Sequence, residues 1–270
     1  MKTIYSFAGG GVRGLISLQL ISQFAFKPDL VCGTSTGAII AAAMSIGMSY
    51  NDIIDAYTKE LPNIFKKEFS LSFGLKKPKY NRERLKESLT RIFGDKTTKD
   101  CIIPLMINTV DITSGEEYHF KSWKYNENLV DILLSSTAAL SYFMPNNMYG
   151  HQHIDGGFSD NQICYDAYVE AKRLWGEDWG YYVVAVGTGI YNKETKCEIE
   201  NGGLIEVGKK VIPIFLNQNN QRQKYYMKHN TRERDMFLNL DVEIDRKIEL
   251  DDISKESMKY MLNTNWKVAK

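Results

Sequence analysis

The sequence has few cysteines and prolines, and its charges nearly cancel. Among 270 residues there are 4 Cys and 6 Pro, and 34 Lys and Arg face 33 Asp and Glu, which leaves a net charge of +1. No two cysteines have the C-x-x-C spacing of a zinc or redox site, and four thiols are too few for a disulfide framework, which favours a reducing compartment. The balanced charge provides no global field for nucleic acid, so we expect no nucleic-acid partner.

Long hydrophobic runs are also missing. The longest strongly apolar stretch, Ala38–Met44, is far shorter than the ~20 residues that span a bilayer. The sequence from Met1 reaches glycines before a hydrophobic region of signal-peptide length develops. We therefore expect no signal peptide and no transmembrane segment, and a location in the cytoplasm or at the periphery of a membrane.

The composition is that of a globular protein, with 43% hydrophobic and 25% charged residues. Short apolar runs alternate with longer helical patterns, which is typical of an α/β sheet protein. We expect a single domain over residues 1–270. The predicted strands are Ile4–Ala8, Asp29–Cys32, Ile102–Val110, Glu117–Phe120, Tyr182–Val186 and Met236–Val242, with Met148–Ile154 extended. The predicted helices are Gly14–Phe24, one that begins near Ala38, Leu129–Leu140, Tyr165–Trp175, Leu204–Leu216 and a C-terminal helix at about 254–268.

The first candidate site is Gly33-Thr34-Ser35-Thr36-Gly37, which matches G-x-S-x-G. An apolar strand precedes it and an Ala-rich helix follows, so the serine occupies the tight turn between them. Small flanking residues are needed because bulk would clash where the turn exposes the hydroxyl. Ser35 at a helix N-terminus also faces unpaired N–H groups that favour a developing anion. The simpler alternative is that Ser35 is only a helix N-cap.

A second glycine-rich segment, Gly9-Gly10-Gly11-Val12-Arg13-Gly14, also lies between a strand and a helix. It fits the G-x-G-x-x-G dinucleotide spacing, but no acidic residue follows the second strand to bind a ribose. A Walker loop is excluded because there is no G-K-[ST]. Consecutive glycines can instead direct backbone N–H groups into one concavity, which is an oxyanion hole. Arg13 adds a positive charge suited to a substrate phosphate.

Asp155-Gly156-Gly157 is the third candidate, although Asp-Gly-Gly is often only a turn. A serine nucleophile needs a base, and His153 would share a strand face with Asp155, so a Ser–His–Asp triad is conceivable. His151 and His153 could form a metal pair, but no convincing third ligand is visible.

The segment from Ile64 to Tyr80, within an insertion at about 60–86, mixes aromatic and aliphatic residues with five lysines and one acid, Glu68. It is either a solvated insertion with a buried face or a flap that meets an anionic interface through residues such as Lys66 and Lys67. Phe143 and Met144 are the other candidates for substrate access.

The three motifs, in this order, resemble those of the patatin-like phospholipases. Supporting similarities are Ser136-Thr137-Ala138-Ala139, Tyr142-Phe143-Met144-Pro145 and Val186-Gly187-Thr188-Gly189. The resemblance covers residues 4–189, and Ala8 departs from it where the family often has Asp.

The resemblance implies a three-layer α/β/α sandwich with a central, mostly parallel sheet. It further implies a Ser–Asp dyad, in which Ser35 attacks an acyl ester and Asp155 is the base, with Gly10, Gly11 and the Thr36 N–H as oxyanion donors. It implies no metal and no cofactor. A glycerophospholipid at a membrane surface is the expected substrate, and an unidentified activator is conceivable. The alternatives are a Ser–His–Asp carboxylesterase acting on small soluble esters, and a catalytically silent binding or storage protein.

Overall fold

The computed structural model describes residues 1–24, 26–66, 78–191, 221–263 and 266. The strands are β1 (Lys2–Phe7), β2 (Leu30–Thr34), β3 (Leu105–Asp111), β4 (Glu116–Lys121), β5 (Asn146–Met148), β6 (His151–Asp155), β7 (Tyr181–Val186) and β8 (Met236–Leu240). The helices are α1 (Gly14–Ile21), α2 (Thr36–Ser45), α3 (Tyr50–Ile64), α4 (Arg82–Phe93), α5 (Leu129–Ser136), α6 (Cys164–Trp175), α7 (221–230 within the described ranges) and α8 (Lys255–Asn263).

Within these ranges the eight strands form one mixed, mostly parallel sheet in the order β5-β6-β3-β2-β1-β7-β8, with β4 beside β3. The five strands β3, β2, β1, β7 and β8 are parallel to one another, and β4, β5 and β6 join antiparallel. From β1 the chain proceeds to β2 on one side, while β7 lies on the other. The carboxyl end of β1 is therefore a topological switch point, where open α/β sheets bind ligands.

Each face of the sheet is covered by helices, as the sequence predicts. Consecutive residues of β1 pack into two hydrophobic cores, one on each face of the sheet. Ile4 packs on the side of α6, and Tyr5 packs on the side of α1 and α2. Both are fully buried. Strands that are buried on both faces are mostly apolar, which explains the continuous apolar run of β7, whereas the run in β1 is interrupted by the buried Ser6.

Most predicted elements are present, with shifted ends. The predicted helix Leu129–Leu140 ends at Ser136, and the extended Met148–Ile154 region is the hairpin of β5 and β6. Leu204–Leu216 and residues 67–77 of the predicted insertion lie outside the described residues. The flanks of that insertion belong to α3 and α4, which the sequence analysis missed.

Both missed helices carry N-terminal signals in the sequence. The Ser49 side chain accepts a hydrogen bond from the Asp52 N–H as part of a capping box, and Asn81 caps α4. No helix among the described residues is long and apolar enough to cross a bilayer.

Candidate active site

The three sequence motifs meet at the carboxyl edge of the parallel strands. The glycine-rich loop follows β1, Ser35 follows β2, and Asp155 is the last residue of β6. The 155–161 segment also contacts the loop directly, because the Gly9 N–H donates to the Asn161 carbonyl oxygen (3.0 Å) and the Asn161 side chain donates to the Gly9 carbonyl oxygen (3.0 Å). The fold therefore places at one edge the residues that the sequence analysis selected from three distant segments.

Ser35 occupies a strained turn between β2 and α2. Its φ is 55° and its ψ is −124°, a combination that non-glycine residues rarely adopt. Its side chain makes no capping hydrogen bond to the helix, so the structure does not support the interpretation of Ser35 as a simple N-cap. Its backbone N–H donates to the Ser136 hydroxyl (3.0 Å), which in turn donates to the Asn108 carbonyl oxygen (2.7 Å).

The small residues around Ser35 are required by close backbone packing. A Cβ on Gly37 would lie 2.2 Å from the Phe7 carbonyl oxygen, and a Cβ on Gly33 would lie 2.4 Å from the Gly37 backbone. Because these obstacles are backbone atoms, no side-chain movement could relieve the clash. The first turn of α2 can therefore lie against the end of β1 only if both positions are glycine.

Asp155 is buried, and its carboxyl group lies close to the Ser35 hydroxyl. Its side chain accepts from the Gly157 N–H (2.8 Å), and its own N–H donates to the Ala138 carbonyl oxygen (3.1 Å). Burial raises the pKa of Asp155 from 3.8 to about 6, although the nearby Ser35 hydroxyl and the Gly157 N–H lower it. The carboxyl group is thus a stronger base than an exposed aspartate and lies against the serine hydroxyl.

The glycine loop passes close to Ser35, since a Cβ on Gly9 would lie 3.2 Å from Ser35 Cβ. Gly11 has a φ of +58°, which favours glycine. Among the described residues, no acceptor bonds to the backbone N–H of Gly10, Gly11 or Thr36. The assignment of these three N–H groups to an oxyanion hole stays a prediction. Gly14 and Gly156 fill tight packing positions beside Thr36 and Asn108.

Arg13 lies close to acidic residues after β8 and in the turn before α8. Burial lowers the pKa of Arg13, whereas the charges of Asp241 and Glu249 raise it. Within the described part of the chain its Nε has no hydrogen-bond partner. These neighbours give Arg13 a structural role, and its predicted contact with a substrate phosphate stays a prediction.

His153 does not take part in a triad among the described residues. Its ring packs against Tyr118 and Phe120, with centroid distances of 6.1 and 5.9 Å. Its Nδ1 is buried without a partner in the described ranges. The Asp155 side chain accepts from the Gly157 N–H and lies close to Ser35 instead, so the strand face that His153 shares with Asp155 does not bring His153 into the site.

His151 and His153, which the sequence analysis considered as a metal pair without a third ligand, have different neighbours in the described structure, because His151 contacts Asp111 (2.6 Å between Nδ1 and Oδ2). Three other potential ligands, Glu117, His119 and Asp166, have donor atoms within 4.8 Å of one another. Glu117 and His119 contact each other (3.3 Å), and we assign no metal to this polar cluster.

Several residues that support the site were missed by the sequence analysis. Asn161 links the glycine loop to the Asp155 segment. Asn108 donates to the Gly156 and Asp160 carbonyl oxygens (3.1 and 2.7 Å), and the Tyr57 hydroxyl donates to the Thr36 carbonyl oxygen (2.7 Å). A signal existed for Asn161, since a polar residue closely follows the Asp-Gly-Gly turn. The contact between Tyr57 and Thr36 depends on α3, a helix that the sequence analysis did not predict.

The two candidates for substrate access, Phe143 and Met144, lie on the segment after α5 and differ in their exposure. Phe143 is buried against Phe65 and Tyr80, with centroid distances of 6.4 and 5.9 Å. Met144 is 56% exposed and Leu140 is 42% exposed. Leu140 and Met144 are therefore exposed apolar side chains on the segment whose Ala138 carbonyl oxygen bonds to the Asp155 N–H.

The sequence of this chain matches the profile of the patatin-like phospholipase family over residues 5–168, which contains all three motifs. The chain belongs to this family.

Individual relatives are distant. A "cGAMP-activated phospholipase" of Escherichia coli is 26% identical over 68% of this chain and 61% of its own length. Patatin-like protein 4 of Arabidopsis thaliana is 29% identical over 72% of this chain and 61% of its own length. The chain thus spans about 60% of the length of these curated relatives. The crystal structure of VipD from Legionella pneumophila aligns with 97% of this chain and 64% of its own, with a TM-score of 0.47 and 14% identity.

Proposed function

We propose that this protein is a serine lipid acyl hydrolase that cleaves fatty-acyl esters of glycerophospholipids through a Ser35–Asp155 dyad. The observation that carries the proposal is that the Ser35 hydroxyl, on its strained turn, lies close to the buried Asp155 carboxyl group. Membership in the patatin-like phospholipase family supports the same chemistry.

In the first half-reaction, Ser35 Oγ attacks the ester carbonyl carbon and Asp155 accepts the hydroxyl proton. The carbonyl oxygen becomes an oxyanion that accepts hydrogen bonds from the N–H groups of Gly10, Gly11 and Thr36. When the tetrahedral intermediate collapses, the C–O bond to the alcohol breaks and Asp155 returns the proton to the leaving oxygen.

In the second half-reaction, water attacks the acyl-serine. Asp155 accepts a proton from that water, the N–H groups again stabilise the oxyanion, and the fatty acid leaves as Ser35 recovers its proton. An exposed aspartate is a weak base, with a pKa near 3.9. Burial raises the pKa of Asp155 to about 6 and so makes it a stronger base toward the serine hydroxyl and the attacking water.

This assignment predicts a pH profile for ester hydrolysis. The base must be deprotonated, and its pKa lies at about 6. We expect kcat/KM for a soluble aryl ester to be constant at pH 7–8, to fall to half near pH 6 and to decline about tenfold per pH unit below that. Initial rates in overlapping buffers at constant ionic strength measure the profile. A profile unchanged down to pH 4.5 would contradict the assignment of Asp155 as the base.

We also propose that the substrate is reached at a phospholipid surface. The support is the exposed apolar pair Leu140 and Met144, on the segment whose Ala138 carbonyl oxygen bonds to the Asp155 N–H. Apolar side chains near a site can enter the interfacial region of a bilayer and present the site to lipid.

Replacing Leu140 and Met144 together by glutamate is expected to weaken binding to anionic vesicles by about tenfold or more, because apolar insertion is lost and charge repulsion is added. Co-sedimentation with phosphatidylcholine–phosphatidylglycerol vesicles measures this, in a Ser35→Ala background so that lipid is not consumed. Ile102→Glu is the control, since Ile102 is 75% exposed and precedes β3, at the opposite edge of the sheet. Equal binding by the double variant and the control would contradict the proposed surface.

An activator is the remaining part of the proposal. The E. coli relative bears the name "cGAMP-activated phospholipase", which makes a cyclic dinucleotide the first compound to test. Fatty-acid release from mixed phospholipid vesicles is measured for the parent chain and for Ser35→Ala, each with and without cGAMP. Release by the parent alone supports the proposed function, and equal release by Ser35→Ala would overturn it.

A further inference from the structure

The backbone of the glycine loop is in contact with a turn that lies far along the chain, just before α8. The carbonyl oxygen of Leu250 accepts a hydrogen bond from the Val12 N–H (2.9 Å). The same oxygen would lie only 2.0 Å from a Cβ on Gly11, where φ is +58°. The Leu250 carbonyl therefore occupies the space next to Gly11 and shapes the loop that carries the predicted oxyanion donors.

Asp251 fixes the turn that carries this carbonyl. Its carboxylate accepts hydrogen bonds from Lys79 Nζ and Tyr80 Oη. The Asp251 side chain is only 8% exposed, whereas that of Lys79 is 39% exposed. Burial raises the pKa of Asp251, but the hydrogen bonds from Lys79 and Tyr80 outweigh it and bring the pKa below its ordinary value. The group is therefore ionised at neutral pH and retains both donors.

The partners of Asp251 are themselves well fixed. The backbone N–H groups of Lys79 and Tyr80 donate to the carbonyl oxygens of Ser141 and Tyr142 (2.9 Å each). The Tyr80 ring is 3% exposed and packs edge-on against Phe65, with a centroid distance of 5.2 Å. Asp251 thus attaches the Leu250 turn to a rigid part of the core.

We propose that Asp251 is a positioning residue for the oxyanion-binding N–H groups. Three consecutive glycines have more backbone freedom than any other tripeptide, and an oxyanion hole is effective only when its donors are fixed before the reaction. The link runs from the Asp251 carboxylate to the Leu250 carbonyl, then to the Val12 N–H and so to the N–H groups of Gly10 and Gly11. The proposal rests on the proposed esterase function.

The consequence is a loss of turnover that is separate from substrate binding. Removing the Asp251 carboxylate leaves the Leu250 turn unattached, and the loop donors then spread over several orientations. Since one lost oxyanion donor costs about 100-fold in kcat, we expect kcat to fall about 10- to 100-fold in Asp251→Ala. We expect a smaller fall in Asp251→Asn. KM is expected to change less than about threefold, because the loop donors act mainly on the transition state.

The experiment compares kcat and KM for p-nitrophenyl butyrate with the thermal midpoint of each variant. The matched control is Asp235→Asn. Asp235 is a second buried carboxylate that accepts from a cation and a tyrosine, Arg232 Nε (2.9 Å) and Tyr168 Oη (2.7 Å), but it precedes β8, at the far end of that strand from the loop. The control is expected to lose thermal stability and to retain the kcat of the parent.

Tyr80→Phe serves as a milder variant in case Asp251→Ala does not fold, because it removes one donor and keeps the ring. The proposal is supported if kcat falls in the Asp251 and Tyr80 variants while their KM stays near that of the parent. The Asp235→Asn control must at the same time retain the kcat of the parent. Parent-like kcat in Asp251→Asn and Tyr80→Phe overturns it. Losses of kcat that follow thermal stability equally in the Asp251 and Asp235 variants also overturn it, since they indicate a purely structural role. Ser35→Ala in the same assay tests the proposed function separately, because full activity in that variant would overturn the esterase itself.

Discussion

Ser35→Ala is expected to lower kcat for ester hydrolysis by about four to six orders of magnitude, as loss of the nucleophile does in other serine hydrolases. Among the described residues, the strained turn after β2 places the Ser35 hydroxyl close to Asp155. The oxyanion donors remain in the variant, so a small residual rate over water is expected. The measurement is the initial rate with p-nitrophenyl butyrate and with phospholipid vesicles.

The control for this variant is Ser45→Ala, at the other end of α2. Ser45 is fully buried, and its hydroxyl donates to the Ala42 carbonyl oxygen (2.7 Å). The two substitutions remove the same atom from the same helix. A fall in activity for Ser45→Ala as large as that for Ser35→Ala would show that the loss reflects helix damage, and the assignment of the nucleophile would be wrong.

Asp155→Asn is expected to have two opposite effects, a loss of activity and a gain of stability. The amide cannot accept the proton of the Ser35 hydroxyl, so we expect kcat to fall by at least about 1,000-fold, within the range that general-base groups contribute together with their orienting effect. The amide keeps the size of the carboxyl group and can still accept the hydrogen bond from the Gly157 N–H. Kinetics and thermal unfolding are measured on the same preparation.

The gain of stability follows from the raised pKa. A carboxyl group with a folded-state pKa of about 6 and an ordinary value of 3.8 binds its proton more tightly in the folded protein than in the unfolded chain. Folding is therefore disfavoured progressively as the pH rises from about 4 through about 6, by on the order of 3 kcal/mol in total. Asp155→Asn removes this cost, because the amide resembles the protonated acid.

We expect Asp155→Asn to unfold several degrees higher than the parent at pH 8, with the difference shrinking as the pH falls and vanishing near pH 4. The pH dependence is an internal control, since a change of packing alone would act equally at every pH. A variant that unfolds lower than the parent at pH 8 would contradict a strained, buried base at this position.

Much of the fold and the site was predictable because local patterns specify them. The continuous apolar run of β7 and the small residues around Ser35 reflect requirements that act within a few residues. The order of the motifs then indicated the family, and the family profile over residues 5–168 confirms it.

The features of the fold and the site that the sequence did not predict depend on contacts between distant segments. The sequence near Gly11 contains no sign that Leu250 lies against it, and the face shared by His153 and Asp155 did not show that His153 packs against aromatic rings. The end of α5 at Ser136 was also missed. The shorter helix frees the Ala138 carbonyl oxygen to accept the Asp155 N–H, a bond that forms only once β6 is in place.

The most direct test of the central claim is to treat the protein with a fluorophosphonate and to map the modified residue by peptide mass spectrometry. The Ser35–Asp155 dyad predicts one covalent label per chain, on Ser35, with labelling strongly slowed in Asp155→Asn. Absence of labelling, with or without cGAMP and phospholipid vesicles, or labelling confined to another residue, would contradict a serine hydrolase and favour a binding protein of the same fold.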